Sequence, residues 1–269
     1  MSTKTRIQLA FGIAFSVLVF IYGYAVEPYW IEITHHDVSE QREKVGLRVV
    51  QISDLHMHSI GRREAGVIAT LHELRPDIVV FTGDVIDQPD FINTFREFVS
   101  KIPDVHRVGV LGNWEYWSDA DLQQLKLIYE SRQGSRLLVN ETVDYEIKNK
   151  RLRVIGLDDF TAGYPSLPWG VPLPQGAVSL LLEHSPGFFD MPNLKTVLTG
   201  RYDMCLSGHT HSGQITLFGI PLWTPRGSGH YKSGLYQTPN CPLYVSRGIG
   251  TSLVSIRLGA RPEIAVFDF

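Results

Sequence analysis

Hydrophobic residues follow three successive patterns along the 269-residue chain. An apolar run without charged residues comes first, from Ile7 to Ala25. Between residue 46 and about residue 130, short β-branched runs alternate with segments of helical periodicity. After Ser135 the apolar runs are short and closely spaced, which is typical of β-rich structure. These patterns predict an N-terminal membrane segment at residues 1–26, a linker at 27–45 and one folded domain at 46–269.

The N-terminal run is about as long as the roughly 20 residues with which a helix crosses a bilayer. Lys4 and Arg6 precede it, and aromatic residues typical of membrane interfaces cluster at its far end: Tyr22, Tyr24, Tyr29 and Trp30. The charge asymmetry predicts a single-pass segment in the cell membrane, with the folded domain on the extracytoplasmic side. Cleavage as a signal sequence after Gly23-Tyr24-Ala25 is the alternative. The polar segment 27–45 is compatible with a linker or an edge strand.

The remainder of the chain predicts an α/β fold. Strands are expected first at Leu47–Ile52, Asp77–Phe81 and Arg107–Leu111, with helices at Ala65–Leu74, Phe91–Val99 and from Asp119 to Tyr129. Such alternation favours a right-handed parallel sheet. Further strands are expected in the β-rich half, at 136–140, 142–148, 151–157, 178–182, 204–206, 214–218, 243–245 and 263–267. Together these elements predict two packed mixed β-sheets flanked by helices.

Composition narrows the range of partners. The net charge of -3 gives the chain no broad basic surface, which argues against a general nucleic-acid binder. No specific nucleic acid or protein partner is indicated. Cys205 and Cys241 are too few for a four-thiolate zinc site, and a single bridge between them stays open because the sequence does not report their distance.

Polar side chains follow each of the first three predicted strands. Asp54 and His56 come after the first strand, Asp84 follows the second in Gly83-Asp84, and Asn113 follows the third in Gly112-Asn113. Open α/β sheets place their sites outside the carboxyl ends of parallel strands, so these groups are expected to converge. Asp54 and His56 lie two residues apart and therefore share one side of an extended chain.

Three histidines are expected to join them from the second half. His184 follows one predicted strand, and His209 and His211 form a His-x-His pair after another. Imidazoles beside carboxylates are a ligand set for Mn, Fe, Zn or Co. Two such ions, about 3.5–4 Å apart and bridged by Asp84, would lower the pKa of a shared water and neutralise phosphoryl oxygens. The sequence therefore predicts a binuclear metal centre for phosphate chemistry.

These motifs resemble those of the calcineurin-like metallophosphoesterases: DLH at 54–56, GD at 83–84, GN at 112–113, LLEH at 181–184 and GHTH at 208–211. The resemblance extends from about residue 46 to the C-terminus, and EPYW, GLDDF and VSRGIG are similar to segments of the membrane-associated bacterial branch. It implies an αββα sandwich, two divalent ions with manganese favoured, and hydrolysis of phosphoric esters or pyrophosphates. It assigns Asp54, His56 and His211 to one ion and Asn113, His184 and His209 to the other, with Asp84 as the bridge.

One position departs from the family pattern. The family usually has a histidine after Gly-Asn, which contacts the phosphate and protonates the leaving group, whereas this chain has Trp114. An indole N–H donates one hydrogen bond but does not titrate, so Trp114 is a candidate for substrate binding and not for acid catalysis. The UDP-diacylglucosamine pyrophosphatases are similar at this position, because they have Gly-Asn-Arg-Asp and act on a membrane-bound substrate.

Two hypotheses address the missing acid. A leaving group such as a nucleotide monophosphate, whose second pKa is near 6, needs little protonation, so pyrophosphates and activated diesters would be favoured over alkyl monoesters. Alternatively, the His58 side chain extends to the site and acts as the acid in place of the usual histidine. Arg247, in Ser246-Arg247-Gly248, is a further candidate for binding phosphate through a bidentate pair.

The leading expectation is a membrane-anchored hydrolase of phosphodiester or pyrophosphate bonds, acting on a phosphorylated small molecule or a lipid-linked substrate. The alternative is a metal-binding pseudoenzyme or a weakly active phosphatase. The membrane face stays open, because the charge pattern favours the extracytoplasmic side whereas lipid A synthesis takes place on the cytoplasmic face.

Overall fold

The N-terminal segment forms one long helix. A computed structural model describes residues 2–38, 45–167, 176–192, 194, 202–239 and 241–269. Helix α1 (Thr3–Ile21) continues through a π-helical turn (Tyr22–Val26) into a 3-10 turn (Glu27–Tyr29). None of the residues of α1 is buried. Among the described residues, Thr3–Tyr29 is the one helix that is long and apolar enough to cross a membrane.

Six strands form the first sheet: β1 (Glu32–Asp37), β2 (Arg48–Ile52), β3 (Ile78–Thr82), β4 (His106–Val110), β5 (Arg136–Leu138) and β14 (Glu263–Asp268). Their spatial order is β1-β14-β2-β3-β4-β5. Strands β2 to β5 are parallel, and β14 is antiparallel to β2 and parallel to β1. The carboxyl ends of β2, β3 and β4 therefore meet at one edge of the sheet.

Six further strands form the second sheet: β6 (Glu141–Ile147), β7 (Lys150–Gly156), β8 (Val178–Leu182), β9 (Met204–Ser207), β12 (Gly234–Gln237) and β13 (Pro242–Val245). Their order is β12-β13-β9-β8-β7-β6, and β7, β8, β9 and β13 are parallel. A separate hairpin consists of β10 (Thr216–Leu217) and β11 (Ile220–Pro221).

In the described part of the chain, α1 is followed by α2 (Arg62–Leu74), α3 (Ile92–Lys101), α4 (Asn113–Trp117) and α5 (Leu122–Tyr129). Helix α3 buries Phe95, Phe98 and Val99, which share one helical face at spacings of three and four residues. Helix α5 begins after Asp121, whose carboxylate accepts a hydrogen bond from the backbone N–H of Gln124. Residues of α2, α3 and α5 join one apolar core with the first sheet.

Strand β3 illustrates why the sheet packs on both faces. Its side chains alternate, so Ile78 and Val80 enter the core between the two sheets, whereas Val79 and Phe81 enter the core beneath the helices. All four are fully buried. A strand covered on both faces has a continuous hydrophobic run, which is the pattern that the sequence shows here.

The predicted fold class is confirmed, with two mixed sheets flanked by helices, but several elements differ from their predicted form. Strand β5 lies in the first sheet beside β4 and not with the later strands, because periodicity does not report which sheet a strand joins. The strand expected at 214–218 is reduced to Thr216–Leu217. Asp119 has a positive φ of 57° and precedes α5. Within the predicted linker, Glu32–Asp37 pairs with β14 as an edge strand, and residues 39–44 lie outside the described part.

A disulfide joins Cys205 and Cys241, the pair that the sequence left open. Cys205 lies on β9, and Cys241 directly precedes the neighbouring strand β13. Their Cα atoms are 5.9 Å apart, with a sequence separation of 36 residues. A bridge that closes a loop of this size stabilises the fold chiefly by restricting the unfolded chain.

We expect the double variant Cys205→Ala/Cys241→Ala to lose about 2–4 kcal/mol of unfolding free energy, because the unfolded chain regains its loop entropy. Denaturant unfolding with and without a phosphine reductant checks this. The reductant should lower the midpoint of the native protein toward that of the variant and leave the variant unchanged. Equal midpoints for oxidised native protein and variant would contradict a stabilising bridge.

Candidate metal centre

Backbone pairing between two loops positions the first ligand candidates. The N–H groups of Asp54 and His56, just beyond β2, donate to the carbonyls of Gly83 and Asp84 beyond β3, each at 3.0 Å. Asn113 begins α4 directly after β4. The convergence expected at the carboxyl edge of the parallel strands is therefore present.

Two glycines let these loops approach each other. A Cβ at Gly83, which has a φ of 85°, would lie 2.5 Å from Nδ1 of His184. A Cβ at Gly112 would overlap the carboxylate of Asp84. A side chain at Gly83 would therefore displace His184, and one at Gly112 would displace Asp84.

The seven predicted residues form two adjoining groups. In the first, Nε2 of His211 lies 3.1 Å from Nε2 of His56 and 3.4 Å from Oδ1 of Asp54. In the second, Nε2 of His184 lies 3.1 Å from Oδ2 of Asp84, 3.2 Å from Oδ1 of Asn113 and 3.3 Å from Nδ1 of His209. Oδ2 of Asp84 is also 3.8 Å from Nε2 of His56, so this carboxylate lies between the groups.

These donor atoms fit divalent cations. All seven residues are buried, and none is more than 5% exposed. Oδ2 of Asp54 is buried without a hydrogen-bond partner, which is costly for a polar atom. Imidazole nitrogens that face each other, with carboxylate oxygens beside them, are a donor set that a cation would satisfy.

Backbone strain is concentrated in the same residues. Five of the seven have a positive φ: Asp54 (52°), His56 (40°), Asp84 (52°), His209 (70°) and His211 (49°). Residues other than glycine adopt this region rarely and at a cost in free energy. The surrounding fold therefore holds these side chains in positions that their own backbone preferences oppose.

Hydrogen bonds behind the histidines orient their rings. Nδ1 of His184 lies 2.6 Å from the carbonyl of Thr82, and Nε2 of His209 lies 2.8 Å from the carbonyl of Arg226. A carbonyl accepts only from a protonated nitrogen, so the opposite nitrogen of each ring is the one that faces the cluster as a Lewis base.

The protonation states of most of the ligand candidates suit metal binding. Burial opposes ionisation of the Asp54 and Asp84 carboxyls. The nearby histidines outweigh this effect, so that His211 holds the pKa of Asp54, and His184 that of Asp84, below the usual range. Burial lowers the pKa of His211 to about 4, which leaves its ring neutral at pH 7. For His184 the nearby carboxylates outweigh burial and raise the pKa, so an arriving cation would displace a proton.

Glu115 organises the site, although the sequence analysis gave it no role. Its carboxylate is buried and accepts hydrogen bonds from the backbone N–H groups of Gly112, Asp84 and Val85 at 2.8, 3.1 and 2.6 Å. Burial and the adjacent Asp84 raise its pKa to about 7. Its bond to the N–H of Gly112, the N-cap residue of α4, is one half of a capping box, and glycine has no side chain to form the other half.

Arg257 is a second residue that the sequence analysis missed. Its side chain is fully buried, and Nη2 lies 3.2 Å from Nδ1 of His211. The guanidinium also donates to the carbonyls of Gly250, Arg247 and Ala260. It therefore fixes the loop behind the first group of ligands, and no motif in the sequence marks it.

The remaining candidates have different surroundings. Trp114 lies at the cluster, with its backbone N–H 2.9 Å from Oδ1 of Asp84 and its ring edge-to-face with His56. Nε2 of His58 is 2.7 Å from Oδ1 of Asp87, and its half-exposed ring stacks on Phe91.

Arg247, the other predicted substrate-binding residue, forms ion pairs with two carboxylates. Its guanidinium lies 2.7 Å from Glu32 and 3.1 Å from Glu263. These carboxylates, on β1 and β14, neutralise the charge that a bidentate phosphate contact would require. A phosphate would have to compete with these carboxylates for the guanidinium, and the substrate-binding role of Arg247 stays a prediction.

Two cavities meet at the cluster. One of about 690 Å³ is lined by His56, His58, Asp87 and Trp114, together with Tyr24 and Tyr29 beyond α1. The other, of about 460 Å³, is lined by Asp84, His209 and His211 and by apolar side chains that include Trp117 and Trp223. A substrate could therefore reach the ligand groups from either side of Trp114.

Comparison with known proteins identifies the family. The family model of the calcineurin-like phosphoesterases matches residues 47–213. The chain belongs to the calcineurin-like phosphoesterase family. Consistent with the two ligand groups, this phosphoesterase is a metal-dependent phosphoester hydrolase.

Similar proteins include the metallophosphoesterase YkuE of Bacillus subtilis, which is 32% identical over 91% of this chain and 88% of its own length. The transmembrane protein with metallophosphoesterase domain of Bos taurus is 26% identical over 81% of this chain and 52% of its own length. Among solved structures, an archaeal phosphodiesterase has a TM-score of 0.45 and 13% identity, covering 82% of this chain and 93% of its own.

We expect Glu115→Gln to destabilise the phosphoesterase by about 1–3 kcal/mol, because an amide cannot accept all of the backbone N–H bonds that the carboxylate accepts. Glu97→Gln is the matched control, since Glu97 is exposed on α3 and makes an ion pair with Lys101. Denaturant unfolding of both variants measures the difference. Equal stability of the two would contradict a structural role for Glu115.

Proposed function

We propose that this phosphoesterase is anchored in a membrane and uses two divalent ions to hydrolyse phosphodiester or pyrophosphate bonds, in a nucleotide or lipid-linked substrate. The observation that carries the proposal is the pair of adjoining ligand groups with Asp84 between them, beside an indole in place of a titratable side chain. This combination favours substrates whose leaving groups need little protonation.

In this proposal Asp54, His56 and His211 hold one ion, and Asn113, His184 and His209 hold the other, with Asp84 shared. Manganese is the favoured ion, and iron, zinc and cobalt suit the same mixed set of donors. Bound there, the ions would activate water and neutralise phosphoryl charge. The residues behind the ligands hold the imidazoles and carboxylates in place before substrate arrives, so little reorganisation accompanies binding.

Trp114 has two functions in this scheme. Its backbone N–H orients the carboxylate of Asp84, and its ring forms a wall of both cavities next to His56. The ring can pack against an apolar or planar part of the substrate, but it supplies no proton to a leaving group. His58, the alternative acid, is held by Asp87 and by stacking on Phe91.

Two features support placing the catalytic domain outside the cytoplasm. Lys4 and Arg6 lie at the start of α1, as expected for a cytoplasmic N-terminus. The disulfide between Cys205 and Cys241 is a kind of bond that persists mainly in oxidising compartments. The similarity to a transmembrane relative agrees with a membrane location.

We expect Asp84→Ala to lower manganese-dependent hydrolysis of bis(p-nitrophenyl) phosphate by at least about 100-fold, because the shared ligand is lost and metal ions contribute several kcal/mol to such reactions. Metal content per chain, measured by mass spectrometry, should fall in parallel. Asp90→Ala is the control, since Asp90 is exposed. A native protein that binds metal without turnover would instead favour the pseudoenzyme alternative.

The leaving-group hypothesis predicts a steep fall in rate as the phenol pKa of aryl phosphodiesters rises, because no side chain donates a proton. Trp114→His should raise the rate most for the poorest leaving groups and so flatten that dependence. The control is Trp30→His, which changes an indole that is 54% exposed and lines neither cavity. A native rate that is insensitive to phenol pKa would refute the hypothesis.

A further inference from the structure

Exposed apolar side chains are concentrated beside the 460 Å³ cavity. We call them the apolar rim, which comprises Leu217, Phe218, Ile220, Leu222, Trp223, Leu253 and Val254. Phe218 is 96% exposed and Leu253 is 76% exposed. Neither 214–223 nor 251–256 contains a charged residue, although 20% of the chain is charged. Uncharged exposed patches of this kind mark sites of interaction.

The turn at the tip of the rim is unfavourable for the residue that occupies it. Phe218 and Gly219 connect β10 and β11, and their φ values are 52° and 78°. Two-residue hairpin turns with positive φ at both positions favour Asn-Gly. A phenylalanine here exposes an aromatic ring and opposes the backbone geometry, so local stability does not account for its presence.

The rim and the end of the N-terminal helix are attached to the same segment. Leu258 pairs with the base of the hairpin. Its N–H donates to the carbonyl of Gln214 at 2.9 Å, and its carbonyl accepts from the N–H of Thr216 at 2.7 Å. The preceding N–H, of Arg257, donates to the carbonyl of Gly23 at 2.9 Å. The position of the rim relative to α1 is therefore fixed by backbone hydrogen bonds.

A buried contact reinforces this attachment. Oε1 of Glu27 accepts a hydrogen bond from the N–H of Ala260 at 2.7 Å, and the Glu27 side chain is 1% exposed. Gly23 is also buried, and a Cβ there would lie 3.1 Å from the carbonyl oxygen of Arg257. The helix thus ends in a packed junction with the domain.

The rim also forms a wall of the metal cavity. Leu222, Trp223, Leu253 and Val254 line the same cavity as His209 and His211. Leu253 and Val254 additionally line the other cavity together with Tyr24 and Tyr29, beyond the end of α1. The rim therefore lies between the end of the N-terminal helix and the ligand groups, and it borders both cavities.

We propose that the apolar rim inserts into the surface of the bilayer that α1 spans, so that the metal cavity receives phosphorylated lipids from the membrane plane. The lipid substrate rests on the proposed function, whereas insertion of the rim does not depend on catalysis. A bilayer is the favoured occupant because the rim is uncharged, contains an aromatic residue of the type found at membrane interfaces, and is held next to the apolar helix.

The insertion is tested with the full chain in vesicles of phosphatidylethanolamine and phosphatidylglycerol. Phe218→Cys is labelled with a nitrobenzoxadiazole fluorophore, and both native cysteines are protected in the disulfide. Leu127→Cys is the control, since Leu127 is an apolar residue on α5 and is 67% exposed. We expect the fluorophore at position 218 to emit at a shorter wavelength than the one at position 127 and to be quenched by doxyl lipids. Its quenching by iodide should be about fivefold weaker than at position 127.

Two outcomes would overturn the proposal. Emission and quenching at 218 that equal those at 127 would place the rim in water. A blue shift that grows with protein density and resists doxyl lipids would indicate contact with a second copy or another protein. Both readouts are independent of turnover, so they remain informative if the proposed chemistry fails.

A catalytic comparison tests the lipid substrate. Phe218→Asn suits the hairpin turn and removes the aromatic ring, and residue 218 does not line either cavity. We expect this variant to hydrolyse a diacylglyceryl p-nitrophenyl phosphate in vesicles about tenfold more slowly and bis(p-nitrophenyl) phosphate in solution at the native rate. Equal rates on the vesicle substrate would overturn lipid delivery by the rim, whereas a native protein inactive on both substrates would instead refute the proposed function.

Discussion

The burial of seven candidate metal ligands in one small volume is the constraint on which the rest of the site depends. Two carboxylates, four imidazoles and one amide are almost fully removed from water, where unpaired polar groups are costly. Their mutual hydrogen bonds do not satisfy all of them, since Oδ2 of Asp54 has no partner. Divalent cations would offset this cost, so the cluster is best understood as a site built around ions.

Both sheets contribute to the cluster, which ties the site to the packing of the whole domain. Asp54, His56, Asp84 and Asn113 come from loops of the first sheet, and the remaining histidines come from loops of the second. The backbone N–H of His209 donates to Oδ1 of Asp54 at 2.9 Å and so joins the two sets directly. The apolar core between the two sheets fixes the distance between the sheets, because close-packed interiors deform little.

The segment around Arg257 connects this centre to the N-terminal helix. The Arg257 guanidinium contacts His211, while its backbone N–H binds the carbonyl of Gly23. The same short segment therefore contacts both the end of the N-terminal helix and one ligand candidate. This arrangement gives a physical reason for the position of the apolar rim next to both the helix and the metal centre.

Sequence patterns alone predicted the apolar helix, the strands that precede Asp54, Asp84 and Asn113, and all seven residues of the two ligand groups. These features are local or motif-based, because a hydrophobic period and polar residues at strand ends are readable without neighbours. Only the tertiary structure revealed that β5 joins the first sheet, that Arg247 pairs with Glu32 and Glu263, and that Arg257 supports His211. Those contacts join residues distant in sequence, and no period or motif records which distant partner packing will supply. The positive φ values of five ligand candidates were not predictable for the same reason. Surrounding contacts impose these values against the local backbone preference.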